Sequence, residues 1–133
     1  KVQYQGNITL QKGSTLNINS RFTGGVEAHD SLVNVTSQDV LLQNSSVFFN
    51  SSLSVHGDGH LMAQKGLYSN GRIQIGKNST LSLSGTPENG ADNTWIPVLT
   101  YMTEGYDLTG DNATLNISQQ AHVSGDGHAT SSS

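Results

Sequence analysis

The chain has 133 residues, no cysteine, a charged fraction of 12% and a formal net charge of −4. That length suffices for one domain with its own core, the missing cysteines exclude disulfides and thiolate metal sites, and an acidic balance without a basic cluster among aromatics gives no electrostatic ground for nucleic-acid binding. No run of 18 apolar residues occurs and the N-terminus lacks the basic-then-apolar order of a signal peptide, so no membrane-embedded helix is expected.

Serine, threonine, asparagine and glycine take the place of charge, as they do in disordered linkers, but the apolar residues are too regularly placed for a linker. In chain order, alternating apolar pairs stand at Ile8/Leu10, Leu16/Ile18, Val26/Ala28, Val33/Val35, Val40/Leu42, Val47/Phe49, Leu53/Val55, Leu61/Ala63, Ile73/Ile75, Leu81/Leu83, Leu115/Ile117 and Ala121/Val123. Between them lie turn formers such as Gly24-Gly25, Asn44-Ser45-Ser46, Asn70-Gly71 and Gly110-Asp111-Asn112, which tolerate positive φ or bond their own backbone. No segment has a helical period. Three pairs make a unit of about 22 residues, the arithmetic of an all-β, right-handed parallel β-helix with three short strands per coil and about six coils.

A longer echo points the same way. Gly71 to Leu83, GRIQIGKNSTLSL, repeats Gly6 to Ile18, GNITLQKGSTLNI, and GDGH at Gly57 to His60 recurs at Gly125 to His128. A lag of three units predicts that Ile8 and Ile73, or Leu16 and Leu81, lie in the same stacked rows, coils being about 4.8 Å apart. Each buried Ile or Leu contributes roughly 1.5–3 kcal/mol. A β-sandwich is the alternative, since Asn70-Gly71 and Asn89-Gly90 suit hairpin turns.

Residues 85–94 break the pattern and read as a surface loop. The run after it holds Trp95, Tyr101 and Tyr106; it is either a binding loop with an aromatic platform or, as the pattern favours, a coil with larger inward residues and Pro97 at a strand edge. His56-Gly57-Asp58-Gly59-His60 offers metal-ligand types, but extended residues four apart are about 13 Å apart, and a Gly-Asp-Gly turn explains the string. Glu27, Glu88 and Glu104 with seven aspartates are the stock for a polysaccharide-cleaving acid pair. Asn7, Asn34, Asn44, Asn50, Asn78, Asn112 and Asn116 head Asn-x-Ser/Thr triplets, attributed here to turn chemistry. No nucleophile elbow or phosphate loop is present. The expected sets of catalytic, metal and cofactor-binding residues are therefore empty.

GRIQIGKNSTLSLSGTP, YMTEGYDLTGDNATLNI and AHVSGDGHATSSS resemble the late passenger region of serine protease autotransporters of enteric bacteria, most closely from Leu61 onward. The resemblance implies a chymotrypsin-like protease domain at the N-terminal end of a long β-helical stalk and a C-terminal membrane barrel that exports it. This chain matches neither end, and no catalytic residue of the family can be carried onto it. The expectation is a single β-helix segment over 1–133, cut from a longer passenger that continues beyond both coil ends and supports a protease located elsewhere. It would reside outside a Gram-negative cell, reached through periplasm and outer membrane. Two other readings stay open: an adhesin stalk that binds a host surface protein or glycan, and a polysaccharide-active β-helix.

Overall fold

The computed structural model describes residues 3–84, 88–89, 95–96, 98–118 and 121–130. Coil 1 consists of β1 (Tyr4–Leu10) and β2 (Thr15–Ile18), and coil 2 of β3 (Phe22–His29) and β4 (Leu32–Val35). Coil 3 holds β5 (Val40–Leu42), β6 (Ser46–Phe49) and β7 (Ser52–Val55), and coil 4 holds β8 (His60–Ala63), β9 (Leu67–Ser69) and β10 (Ile73–Ile75). Coil 5 opens with β11 (Thr80–Leu83), departs into an antiparallel pair of two-residue strands, β12 (Glu88–Asn89) and β13 (Trp95–Ile96), and resumes with β14 (Val98–Met102) and β15 (Tyr106–Leu108). Coil 6 is β16 (Thr114–Ile117), β17 (Ala121–Ser124) and β18 (Gly127–Ala129).

Every pairing between coils is parallel, and the strands stack on three faces. Face A carries β5, β8, β11 and β16; face B carries β6, β9, β14 and β17; face C carries β2, β4, β7, β10, β15 and β18. The long strands β1 and β3 run through the corner between faces A and B, so β3 pairs with β5 at Phe22 and with β6 at Glu27. The chain is thus an all-β parallel solenoid of six turns.

Stacking is in register, and like side chains meet. Face A contains the row Phe22, Val40, Leu61, Leu81 and Leu115. On face C one row, Ile18, Val35, Val55, Ile75, Leu108 and Ala129, passes through all six coils. On face B the row Leu10, Ala28, Phe48, Ser69 and Met102 sets Phe48 between two small residues, so volume is shared along the stack.

Two expectations need correction. The 65-residue echo does not mark stacked positions: Ile8 pairs with Val26 on face B while Ile73 pairs with Leu53 on face C, and Leu16 lies on face C while Leu81 lies on face A. Coil length explains it. Tyr4 to Phe22 is eighteen residues and Leu61 to Leu81 is twenty, so three coils fall short of the lag, and the shared sequence is one strand-turn-strand motif used at two different corners. Val47 and Phe49 also point outward rather than inward, with Ser46 and Phe48 inside.

Ser46 is inside because the backbone needs it there. Its hydroxyl accepts the Val26 N–H at 3.1 Å, as the Ser51 hydroxyl accepts the Ser31 N–H at 3.0 Å and the Thr100 hydroxyl the Leu67 N–H at 3.3 Å. These hydroxyls satisfy amides that turn inward at corners, where no ladder partner reaches them. Ser51 also donates to the Phe49 carbonyl at 2.8 Å and is buried. Ser51→Ala is expected to cost about 1–3 kcal/mol in urea denaturation, because the Ser31 amide is left buried and unpaired; a variant as stable as the parent would show that the amide finds water. Corners elsewhere use left-handed residues: Asp30 and Asn50 leaving face B, and Asp58, Asn78 and Asn112 entering face A, all have φ between 48° and 64°, a region Asn and Asp enter most readily among non-glycine residues.

Candidate functional site

With the interior filled by side chains, any function lies on the outer faces, the corners or the two ends. His56, Gly57 and Asp58 are exposed at the corner between β7 and β8, closed by the Gly59 N–H donating to the His56 carbonyl at 3.0 Å. The second GDGH copy occupies a different corner, between β17 and β18, where the Asp126 carbonyl accepts the Tyr106 N–H. Among the described residues no three His, Asp or Glu side chains converge on a point that could hold a metal.

The Glu27 and Glu104 carboxylates stand far apart along the rod. Glu27 lies 2.7 Å from His29 Nε2 on the outside of coil 2, and Glu104 is exposed after β14 on coil 5. Three coil steps separate them, about 14 Å at 4.8 Å per step, beyond the spacing of a glycosidase pair. Asp39 is held by Arg21 at 3.4 Å and Asp107 by Arg72 at 3.5 Å. The Glu88 side chain lies outside the described residues.

The asparagines of the seven triplets bond along the stack, Asn34 and Asn112 each to an asparagine one coil away. Asn34 Nδ2 donates to Asn17 Oδ1 at 3.0 Å, Asn44 to Asn7 at 2.9 Å and Asn112 to Asn78 at 3.0 Å; the Asn50 N–H donates to Asn70 Oδ1 at 2.7 Å. Asn116 lies on the outer face of β16, its amide 3.5 Å from Ser82 Oγ. Side-chain amides that stack at the coil repeat are the cross-β form of stabilisation, which accounts for the abundance of asparagine without invoking a glycan.

The aromatic run divides. Tyr106 is half-buried against the core, Tyr101 is exposed on face B, and the Trp95 side chain lies outside the described residues. Tyr101 is not alone. Face B also exposes Phe49 and Leu99, with Tyr68 and Val47 half-buried between them. This patch is assembled from coils 3, 4 and 5 and has no signature in the linear sequence. A shallow cleft of about 470 Å3 on face A, lined by Gln3, Tyr4, Gln5, Arg21, Thr23 and Gln43, is open and polar.

The chain is 41% identical over 126 residues to the serine protease EspC of Escherichia coli O127:H6, an alignment that covers 95% of this chain and 10% of that protein. It is 40% identical over 126 residues to the SepA autotransporter, a serine protease of Shigella flexneri (95% and 9%), and 39% identical over 121 residues to the serine protease EatA of Escherichia coli O78:H11 (91% and 9%). This chain is a homologue of the serine protease autotransporters. No protein-family model matches it. The autotransporter homologue spans about a tenth of the length of the curated relatives it matches. Among its described residues no helix is long and apolar enough to cross a membrane.

Proposed function

We propose that this autotransporter segment is a non-catalytic length of passenger stalk, one part of a longer secreted chain whose serine endopeptidase domain lies elsewhere. The observation that carries this is the row from Ile18 to Ala129, unbroken through six coils on face C. Rows of that kind bind each coil to its neighbours only, and the product is a stiff rod. At both ends the rows run out into solvent: Tyr4, stacked on buried Phe22, is 42% exposed, and Ile117, paired with buried Leu83, is 51% exposed. Further coils of the same passenger are the natural cover for them. On this reading the whole chain resides outside a Gram-negative cell after crossing periplasm and outer membrane, and coil-by-coil folding there opposes backsliding during export.

Labelling with a fluorophosphonate probe tests the division of labour. The full-length secreted chain is expected to take one label, and the 133-residue segment none. A labelled segment would overturn the non-catalytic assignment; an unlabelled full-length chain would confine the likeness to the stalk.

A further inference from the structure

Of the two Asn-Gly pairs in the sequence, Asn70-Gly71 stands within the described residues, at the corner where coil 4 turns from face B to face C. Gly90 of the other pair lies outside them. Asparagine before glycine is the pairing most open to deamidation by self-attack, because no side chain shields the glycine nitrogen. Once the Gly71 nitrogen gives up its proton it can add to Asn70 Cγ: the N–Cγ bond forms, the Cγ–Nδ2 bond breaks, and ammonia leaves with the proton. Water then opens the five-membered imide at either carbonyl, giving aspartate or, where Cγ has become main chain, isoaspartate. No other reagent is needed.

The folded corner opposes each step. The Gly71 N–H donates to Ser69 Oγ at 3.2 Å, and Ser69 is fully buried. The proton that must be lost is thus held against a buried oxygen rather than offered to hydroxide. Asn70 Oδ1 accepts the Asn50 N–H of coil 3 at 2.7 Å, and the Asn70 N–H donates to the Phe48 carbonyl at 3.3 Å. Main chain and side chain of Asn70 are both tied to coil 3. Attack demands reacting atoms at about 3–3.5 Å in an aligned pose, and a Cγ anchored through its oxygen to Asn50 is not free to swing into it.

The isoaspartyl product does not fit the same corner. With Cγ in the main chain, keeping its oxygen on the Asn50 N–H pulls the Gly71 nitrogen off Ser69 and toward coil 3. There a single carbon added to Gly71 would already stand 2.0 Å from the Ser51 carbonyl oxygen. We propose that Asn70 is a self-modification site, closed while coils 3 and 4 are stacked and open whenever they are not, so that a chain kept unfolded loses the ability to close this corner. Chemical change in the unfolded state is a general route to irreversible unfolding. Only this corner is concerned, so the site operates whether or not the chain is a stalk.

The test follows tryptic peptide 66–72, bounded by Lys65 and Arg72, from the full-length secreted chain aged at mildly alkaline pH, either folded in buffer or unfolded in guanidinium chloride. Mass spectrometry reads conversion of Asn70, and an isoaspartyl methyltransferase reads the isoaspartate. Conversion is expected to be at least about a hundredfold slower in the folded chain, as for a site reached only through local opening. Ser69→Ala frees the Gly71 N–H. It is expected to raise the folded rate severalfold above that of Ser46→Ala, which removes an equally buried serine at the corner between faces A and B, and to leave the unfolded rate unchanged. Chain aged in denaturant is then refolded and exposed briefly to trypsin. Peptide released under these native conditions is expected to be enriched in isoaspartate at least about tenfold over peptide recovered after full denaturation, since brief proteolysis samples the open form. Asn70→Asp, which keeps the main-chain length, is expected to resist cleavage like the parent. Equal conversion rates in folded and unfolded chain overturn the proposal. So does an equal rise in the two serine variants, which would give the protection to the stack as a whole. Isoaspartate shared evenly between released and total peptide overturns it as well, since the corner would then close over the modified chain.

Discussion

Gly71→Ala is expected to destabilise the stack by about 3 kcal/mol or more, at the upper end of single-residue effects. Gly71 crosses over Ser51 where coil 4 rounds the corner from face B to face C, and a Cβ on it would stand 2.0 Å from the Ser51 carbonyl oxygen and 2.8 Å from the Ser51 amide nitrogen. Both obstacles are backbone, so no side chain can swing away. Relief requires coils 3 and 4 to part at a corner that is already wired: the Gly71 N–H donates to Ser69 Oγ at 3.2 Å, and Ser51 Oγ accepts the Ser31 amide of coil 2. Gly13→Ala is the control. Gly13 has φ +81 and nothing within 4 Å of a new Cβ, so its substitution carries only the left-handed backbone penalty of about 1–2 kcal/mol. Urea titrations of both variants, read at constant m, compare them directly. If Gly71→Ala proves no more costly than Gly13→Ala, close coil approach is not what selects glycine there.

Gly71 also shows how a sequence echo can mislead. Its counterpart Gly6 meets only its own neighbour Tyr4, at an ordinary 3.5 Å, so the two glycines match in letter and differ in physical cause. The alternation at Leu53/Val55 or Ile73/Ile75 was legible because each inward residue is flanked by polar ones, and a two-residue period then has one reading. Val47-Phe48-Phe49 has two, since an unbroken apolar run suits either parity. The structure takes the less obvious one because Ser46 must be inside to hold the Val26 amide. Hydroxyls at Ser46, Ser51 and Thr100 look like surface residues by polarity, yet they serve the interior by capping inward amides. The coil length was overestimated for a related reason: β1 and β3 run straight through the corner between faces A and B, so the first two coils need no turn there. The exposed face B patch was the least legible. Tyr101 stood out as part of an aromatic run, but Phe49, Tyr68 and Leu99 join it only when coils 3, 4 and 5 are stacked, and no linear window contains them.

Leu81→Asp is expected to abolish coil 5 and with it most secretion of the full-length chain. Leu81 is fully buried between Leu61 and Leu115 on face A. Losing the side chain there costs about 2–5 kcal/mol, and a carboxylate buried without a partner adds several more. The described buried polar residues are all serine or threonine, so no cation awaits it. Against a total stability of about 5–15 kcal/mol for a domain, that is enough to unfold the coil. Because coils are held by nearest neighbours, the damage should spread toward coil 6, whose described residues are all half-buried or exposed, and spare coils 2 and 3. Amide exchange on the purified chain reads this as protection lost from coil 4 onward and retained before it. Ser82→Asp supplies the control, placing the same charge one residue along on the outer face, where secretion should persist. The comparison separates fold from export. A Leu81→Asp chain with coil 5 unfolded and secretion unchanged would leave the stacked architecture standing and remove folding of this segment from the forces that carry the chain outward.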